Sequence, residues 1–157
     1  MKNKIVIGLL AFVLLFGLIQ FYRPEKNWQI NECRGDIFYK KDADPKIVKI
    51  LKTACYDCHS NNTAYPWYNN IAPVSWMIAN HVNEGKEHLN FSNWDIYIPE
   101  KQHKLLDEII EVVEEGEMPL SSYLIIHSEA KLSDSDKELL KFWATDKMVE
   151  LETISKQ

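Results

Sequence analysis

The first hydrophobic pattern along the chain is a continuous uncharged run. It extends from Ile5 to Tyr22, 18 residues in all, and Lys2 and Lys4 precede it. As a helix the run would be about 27 Å long, close to the roughly 30 Å hydrocarbon core of a bilayer. The alternatives are a buried core helix and a cleaved signal peptide, but no small-x-small cleavage site follows the run. We therefore predict an N-terminal transmembrane anchor over residues 1–22, with cleavage as the alternative.

Beyond residue 43 the apolar residues recur with the period of an α-helix. Asp44 is a suitable N-cap, and Pro45 a suitable first residue, for a helix that runs into residues 55–59. Further helices are predicted from Val74 to about His88, from Pro99 or Glu100 to the "EEGEMP" stretch, and from an N-cap at Ser133 with Asp136 at N3. No strand pattern of comparable length is present in the sequence. We therefore predict an all-α fold.

Long irregular segments separate these helices. Residues 23–43 are polar and without a sustained period, which is typical of a linker, whereas 60–73 and 90–100 are predicted to be ordered loops. The folded domain is then 44–152, and the polar tail 153–157 is predicted to be disordered. Loops of this length are usually functional and need support. Three cysteines cannot supply a disulfide framework, so a large buried cofactor is the better explanation.

The charge distribution predicts an orientation and argues against one class of partner. The short basic segment before the apolar run is expected to stay in the cytoplasm. The chain would then be a single-pass protein of the inner membrane with its C-terminal domain in the periplasm. Without Lys2 and Lys4, 16 basic residues face 23 acidic ones, a net charge of −7. Such a charge argues against nucleic acid or anionic lipid as the partner.

The most specific chemistry lies in residues 55–59, "CYDCH". C-x-x-C-H is the attachment motif of c-type haem. Its two thiols form thioethers with the vinyl groups, and the histidine that follows binds the iron. Cys55 and Cys58 are therefore predicted to hold one covalent haem c, with His59 as the proximal ligand. The alternatives are a disulfide, redox-active or structural, and half of a zinc site, which would need a second ligand pair.

Several further sequence blocks carry a resemblance to a known family. After the haem motif come "YPWY", "IAPVSW", "VNEG", "HLNFSNW" and "MPL", in that order. Over about residues 40–145 the chain resembles the small haem-binding-domain family of membrane-anchored bacterial c-type cytochromes. The resemblance implies a monohaem domain with a cytochrome c-like helical fold. One departure is "SSY" after the "MPL" block, where the family is rich in proline.

The sequence offers several candidates for the sixth iron ligand. Met118 is favoured because it follows a helix, precedes Pro119 and lies before the last amphipathic helix, which resembles the place of the axial methionine in cytochromes c. His81 and His88, seven residues apart, are the rivals. Met77, His103 and His127 are further candidates. The aromatic residues expected to wall the pocket are Tyr65, Trp67, Tyr68, Trp76, Trp94 and Trp143.

Three functions are compatible with this motif. The first is an electron carrier without a substrate of its own, which exchanges electrons with redox partner proteins that the sequence does not name. The second is a haem-based peroxidase-like enzyme or gas or redox sensor with an openable distal site. The chain has only two arginines, Arg23 and Arg34, both in the segment 23–43, which argues against peroxidase chemistry. The third is a thiol module without haem. We expect the first, and no catalytic residues.

Overall fold

The computed structural model describes residues 2–29, 33–39 and 43–155. It contains seven α-helices: α1 (Lys2–Ile19), α2 (Pro45–Ala54), α3 (Tyr56–His59), α4 (Val74–His88), α5 (Pro99–Glu114), α6 (Ser121–Leu124) and α7 (Asp134–Ser155). Three 3₁₀ turns lie at Trp67–Asn70, Phe91–Ile96 and Ser128–Ala130. Within the described residues there is no strand. The prediction of an all-α fold is confirmed.

The helix starts that the sequence predicts are formed by the expected side chains. The Asp44 carboxylate accepts a hydrogen bond from the Lys46 amide at 2.8 Å, with Pro45 as the first residue of α2. At the start of α7 the Asp136 amide donates to the Ser133 hydroxyl at 3.2 Å, and the Ser133 amide donates to the Asp136 carboxylate at 2.9 Å. This reciprocal pair is a capping box with aspartate at N3.

The last helix is longer than predicted. Residues 153–157 are predicted to be a disordered tail; α7 continues to Ser155, and residues 156 and 157 lie outside the described residues. The Thr153 hydroxyl donates to the carbonyl of Glu150 at 2.7 Å, which ties the polar end of the helix to the preceding turn. Local hydrogen bonds of this kind do not depend on apolar periodicity, which is why the pattern of apolar residues ended too early.

The hydrophobic core lies mainly between α5 and α7. Both helices place fully buried side chains there, and α2, the 3₁₀ turn at Phe91–Ile96 and the irregular segment before α2 complete it. The main buried residues are Ile47, Leu51, Phe91, Trp94, Leu105, Leu106, Ile109, Val113, Leu140, Trp143 and Ala144. Phe142, which the sequence places among the apolar positions of α7, is 72% exposed.

The segment 23–43 is predicted to be a linker, and its described residues 33–39 pack against the domain; residues 30–32 and 40–42 lie outside the described residues. Ile37 is 3% exposed and belongs to the core, and its amide donates to the carbonyl of Phe91 at 3.0 Å. The Asp95 amide donates to the carbonyl of Gly35 at 3.1 Å. The packed domain therefore extends to the N-terminal side of residue 43. Ile37 is followed by Phe38 and Tyr39, and an apolar run this short has neither a helical nor a strand period that would predict its burial.

Helix α1 has no buried residue in this structure and a mean hydropathy of 2.0. Within the part of the chain that the structure describes, it is the one helix that is long and apolar enough to cross a membrane.

Candidate functional site

The motif residues lie where α2 ends and α3 begins. The Cys55 amide closes α2 by donating to the carbonyl of Leu51 at 2.9 Å, and the Cys55 carbonyl then accepts from the amides of Cys58 and His59 at 3.2 and 3.0 Å. Cys55, Cys58 and His59 therefore share one helical turn. The separation of three residues places both thiols on neighbouring positions of that turn, as attachment of a single flat group requires.

The two thiols are free and protonated at neutral pH. Burial, followed by the proximity of Cys58, raises the pKa of the Cys55 thiol to about 12. Burial and the neighbouring Asp57 carboxylate raise the pKa of Cys58 to about 11. Thiols that act in disulfide exchange have a lowered pKa. The environment of this pair is thus the opposite of a redox-active dithiol.

His59 has a defined tautomer. Its Nδ1 lies 3.1 Å from the carbonyl oxygen of Leu89, and because a carbonyl can only accept, Nδ1 carries the hydrogen and donates it. Nε2 is then left with its lone pair. Burial lowers the pKa of His59, which keeps the imidazole neutral. A neutral imidazole whose second nitrogen donates to a backbone carbonyl is the usual state of a histidine that binds a metal.

Close contact with α4 positions this turn. A Cβ atom added at Gly85 would lie 2.7 Å from the carbonyl oxygen of Cys58 and 3.1 Å from its Cβ, so only glycine fits here without a shift. The same part of α4 leads into Leu89, whose carbonyl holds His59. Neither residue was singled out as functional from the sequence. A glycine inside a predicted helix was a usable signal for Gly85, whereas a backbone carbonyl has no signature.

Asp57, between the two cysteines, connects the turn to two other segments. Its carboxylate accepts from the Ala64 amide at 3.0 Å and from the Tyr123 hydroxyl at 2.7 Å. Its carbonyl accepts from the Thr63 hydroxyl at 2.6 Å. On the other side of the turn, the Tyr56 hydroxyl donates to Asp36 at 3.1 Å. The turn is thus fixed from both directions.

A mostly apolar cleft opens beside Cys58. Its volume is about 100 Å³, which is smaller than the roughly 300–1,000 Å³ typical of small-molecule sites. Its lining comes from the motif turn, the loop after it, α4 and α6: Asp57, Cys58, Thr63, Ala64, Pro66, Tyr68, Val74, Met77, Ile78, His81, Val82, Ser122, Tyr123, Ile126 and His127.

The candidate sixth ligands differ in their relation to this cleft. Met77, His81 and His127 line it. Met118 does not line the cleft, although Ser122 and Tyr123, a few residues later, do. The Met118 amide donates to the carbonyl of Val112 at 3.1 Å. His127 is already engaged, because its Nε2 lies 2.8 Å from the Tyr68 hydroxyl and its ring stacks on Tyr123 at 4.2 Å. His88 is exposed.

The aromatic residues expected to wall a pocket lie in several different parts of the structure. Of these, Tyr68 lines the cleft, while Trp94 and Trp143 belong to the main core. Trp67 is 77% exposed, and Trp76 contacts the end of the N-terminal helix. The motif turn nevertheless has the residue types that a covalently held haem requires, two thiols and a histidine on one helical turn. Of these three residues Cys58 lines the apolar cleft, whereas Cys55 and His59 do not.

Among the described residues, no group of three or more histidine, cysteine, aspartate or glutamate side chains is arranged to hold a metal ion. The Cys33 thiol donates to the Gln29 side chain at 3.1 Å.

Comparison with known proteins agrees with the haem chemistry. A model of the haem-binding domain family matches residues 14–146, which confirms the resemblance seen in the motif blocks at the level of the family. The match begins inside α1 and includes the segment between α1 and α2, so that both belong to the unit the family model describes. No curated protein and no solved structure gives a significant match.

Proposed function

This chain belongs to the haem-binding domain family, and from that premise we propose that it is a membrane-anchored monohaem c-type cytochrome. It transfers electrons on the periplasmic side of the inner membrane, between redox partner proteins. Cys55 and Cys58 hold one haem c through thioether bonds, and His59 is the proximal ligand.

The observation that carries this proposal is the state of His59. The hydrogen bond from Nδ1 to the Leu89 carbonyl at 3.1 Å selects the tautomer in which Nε2 carries the lone pair, and the Gly85 carbonyl is a second backbone partner of the ring. Burial keeps the ring neutral, and the ring sits edge-on to Phe91 at 6.5 Å. These contacts orient the imidazole before any metal is bound, which lowers the cost of ordering it as a ligand. The bound haem iron supplies a one-electron redox couple.

The cysteines contribute attachment rather than reactivity. Their raised pKa values keep both thiols protonated at neutral pH, which suppresses disulfide exchange by the same pair. The close approach of Gly85 holds the Cys58 backbone against α4. The turn therefore presents its thiols and its imidazole from a rigid element.

Met118 is our sixth ligand, and His81 is the alternative. Met118 lies between α5 and α6 and is followed by Pro119, in the order typical of cytochromes c. His81 is supported by a different observation, since it lines the cleft beside Cys58. Methionine raises the reduction potential of the iron relative to a second histidine.

The ligand proposal is tested with three variants of the matured holoprotein: Met118→Ala, His81→Ala and the control His88→Ala, which removes an exposed imidazole. We expect Met118→Ala alone to abolish the sulfur-to-iron charge-transfer band of the oxidised protein and to lower the reduction potential. If His81→Ala alone converts the iron to a high-spin form, His81 is the sixth ligand. All three variants should keep covalent haem.

A haem enzyme or sensor is the second candidate, and the lining of the cleft favours it to a limited extent. Tyr68, His81 and His127 are among the polar side chains that line a mostly apolar space, as a distal site for a small ligand would require. Neither arginine lines that cleft; Arg23 lines a separate surface pocket with Tyr65 and Asn69. Rapid binding of carbon monoxide by the reduced wild-type protein, without loss of a ligand, would support this candidate.

A further inference from the structure

The end of α1 is joined directly to the haem-binding domain. The Gln20 side chain donates to the carbonyl of Ala72 at 3.1 Å and accepts from the Ala72 amide at 2.8 Å. Two residues later, the Tyr22 carbonyl accepts from the Trp76 indole at 3.0 Å, and the two rings meet edge to face at 5.8 Å. A flexible spacer would show no such contacts. The helix therefore holds one particular part of the domain next to its own end.

Ala72 and Trp76, which the end of α1 contacts, belong to a sequence stretch without charged residues. From Ser60 to Asn83 there are 24 residues without aspartate, glutamate, lysine or arginine, in a chain with 26% charged residues. A second uncharged stretch runs from Met118 to Ser128. The two stretches meet at the cleft, where Val74 and Met77 come from the first and Ile126 from the second.

Large apolar side chains are exposed on these same stretches, and we call the set the apolar face. Trp67 and Ile125 are the most exposed, at 77% and 81%. Outside the cleft the set is Trp67, Ile71 and Ile125, and Val74, Met77 and Ile126 join it at the rim of the cleft. Exposed apolar groups that form a group rather than occur singly usually mark a contact surface.

We propose that the apolar face rests in the outer lipid–water interface of the membrane that α1 crosses. The inference relies on the membrane anchor of the proposed function. Gln20 fixes Ala72 at the end of the hydrocarbon span, and the polar layer beyond the hydrocarbon core is only roughly 5–8 Å thick on each side. Tryptophan and tyrosine side chains concentrate in that layer. The partner is zwitterionic phospholipid, and the contact is apolar and aromatic rather than electrostatic, in agreement with the negative net charge.

The orientation has a consequence for the cleft. Val74, Met77 and Ile126 belong both to the apolar face and to the lining of the cleft. Its rim therefore lies at the membrane surface. The charged helices α5 and α7, with their exposed ion pairs such as Lys104 with Glu108, face the water.

A photo-cross-linking experiment on the full-length holoprotein tests the orientation. Benzoylphenylalanine replaces Trp67, Ile125 or Phe142 in turn, and each variant is reconstituted in phosphatidylcholine vesicles. Phe142 is the matched control, because it is a large apolar side chain on α7 that is 72% exposed. After irradiation, mass spectrometry of the labelled peptides counts lipid adducts. We expect at least about fivefold more lipid adducts at positions 67 and 125 than at 142.

The possible results are distinguishable. Equal lipid yields at the three positions, in protein that sediments with the vesicles and carries haem, would overturn the orientation and leave the proposed function intact. Cross-links from 67 or 125 into a second copy of the chain would also overturn it, because the face would then be an interface between copies. Protein that fails to sediment with the vesicles would remove the membrane anchor itself, and with it that part of the proposed function.

A second variant tests the role of the helix end. Gln20→Ala removes both hydrogen bonds to Ala72 while leaving α1 apolar. Combined with benzoylphenylalanine at position 125, it should lower the lipid adduct yield several-fold, with unchanged sedimentation and unchanged haem content. An adduct yield equal to that of the parent would contradict the role of Gln20 in setting the orientation.

Discussion

The half of the domain built from α5 and α7 differs in its stabilising forces from the half built around the motif turn. Between α5 and α7, apolar side chains such as Leu106 and Leu140 are almost fully buried, at 0% and 1% exposure. The ion pairs of these helices, such as Lys141 with Glu114, lie at the surface, where they contribute little. Non-directional burial thus stabilises this half.

Around the motif turn, polar side chains make the decisive contacts. Asn27 donates to the carbonyl of Ser60 at 2.8 Å, and Asn90 donates to Asn61 at 2.8 Å. The backbone amide of Asn61 donates to the Ser92 hydroxyl at 3.1 Å. Among the described residues, no buried side-chain nitrogen or oxygen lacks a hydrogen-bond partner. Directional bonds, each of which requires one geometry, organise this half.

The comparison indicates which half of the domain controls stability and which half controls the haem site. An apolar interface tolerates substitutions that preserve volume, whereas a network of polar side chains loses its geometry when one member is removed. We therefore expect substitutions in α5 or α7 to change the free energy of unfolding with little effect on the haem spectrum. Substitutions near the turn should change the haem site out of proportion to their effect on stability.

The largest loss of stability is expected from Leu106→Ala. The side chain is fully buried between helices, so its removal should lower the free energy of unfolding by about 2–5 kcal/mol. Urea denaturation in detergent, followed by circular dichroism, measures the change. The absorption spectrum of the folded protein should not move. The exposed Phe142→Ala serves as control, and a comparable loss in that variant would contradict the core that we describe.

Gly85→Ala should affect both stability and haem attachment. The added methyl group would meet the Cys58 carbonyl at 2.7 Å, so α3 and α4 must separate, at a cost of about 1–3 kcal/mol. We expect a lower yield of covalent haem, measured by haem staining per unit of protein. Gly17→Ala is the control, since nothing lies within 4 Å of its added methyl group. Full haem yield in Gly85→Ala would show that close approach is not required.

Asn61→Ala tests whether the polar network reaches the haem site. It leaves the side-chain amide of Asn90, which is 7% exposed, without its acceptor at 2.8 Å, with an expected loss of about 1–2 kcal/mol. Because Asn61 follows the motif turn, the reduced absorption bands should broaden as well. The control is Asn80→Ala, whose exposed amide donates to Glu84 one turn away. Identical spectra in both variants would mean that the polar network does not reach the haem site.

The smallest effect is expected at the start of α7. Ser133→Ala removes one half of the capping box and should cost about 1 kcal/mol. Hydrogen bonds from the Ser133 hydroxyl and amide lower the pKa of the Asp136 carboxyl. The stabilisation is therefore present above the ordinary pKa of aspartate and is lost as the pH falls through the lowered value. Denaturation at neutral and acidic pH should show that wild type and variant converge in acid.

The sequence predicts the helical half better than the half around the turn. The starts of α2, α4, α5 and α7 follow from apolar spacing and local caps, as at Asp44, because those signals lie within a few residues of each other. The burial of Ile37 and the exposure of Phe142 depend on partners far along the chain. Neither is visible in a local pattern.

The sequence predicts which residue types form the site, but it does not predict the backbone and side-chain groups that position them. Cys55, Cys58 and His59 are recognisable because thioether and imidazole chemistry need those side chains. The Leu89 carbonyl that orients His59 is a group that every residue possesses. The contact between Gln20 and Ala72 joins two segments 52 residues apart, and neither residue is unusual in its local context.

The most direct test of the account is the chemistry of the bound group in protein co-expressed with a cytochrome c maturation system. Absorption spectra of the oxidised and reduced protein are recorded together with haem staining after denaturing electrophoresis, for the wild type and for Cys55→Ala with Cys58→Ala. The account predicts haem that stays on the denatured wild-type chain, with sharp low-spin reduced bands, and none on the double variant. A wild-type protein that carries no covalent haem, despite working maturation, would contradict it.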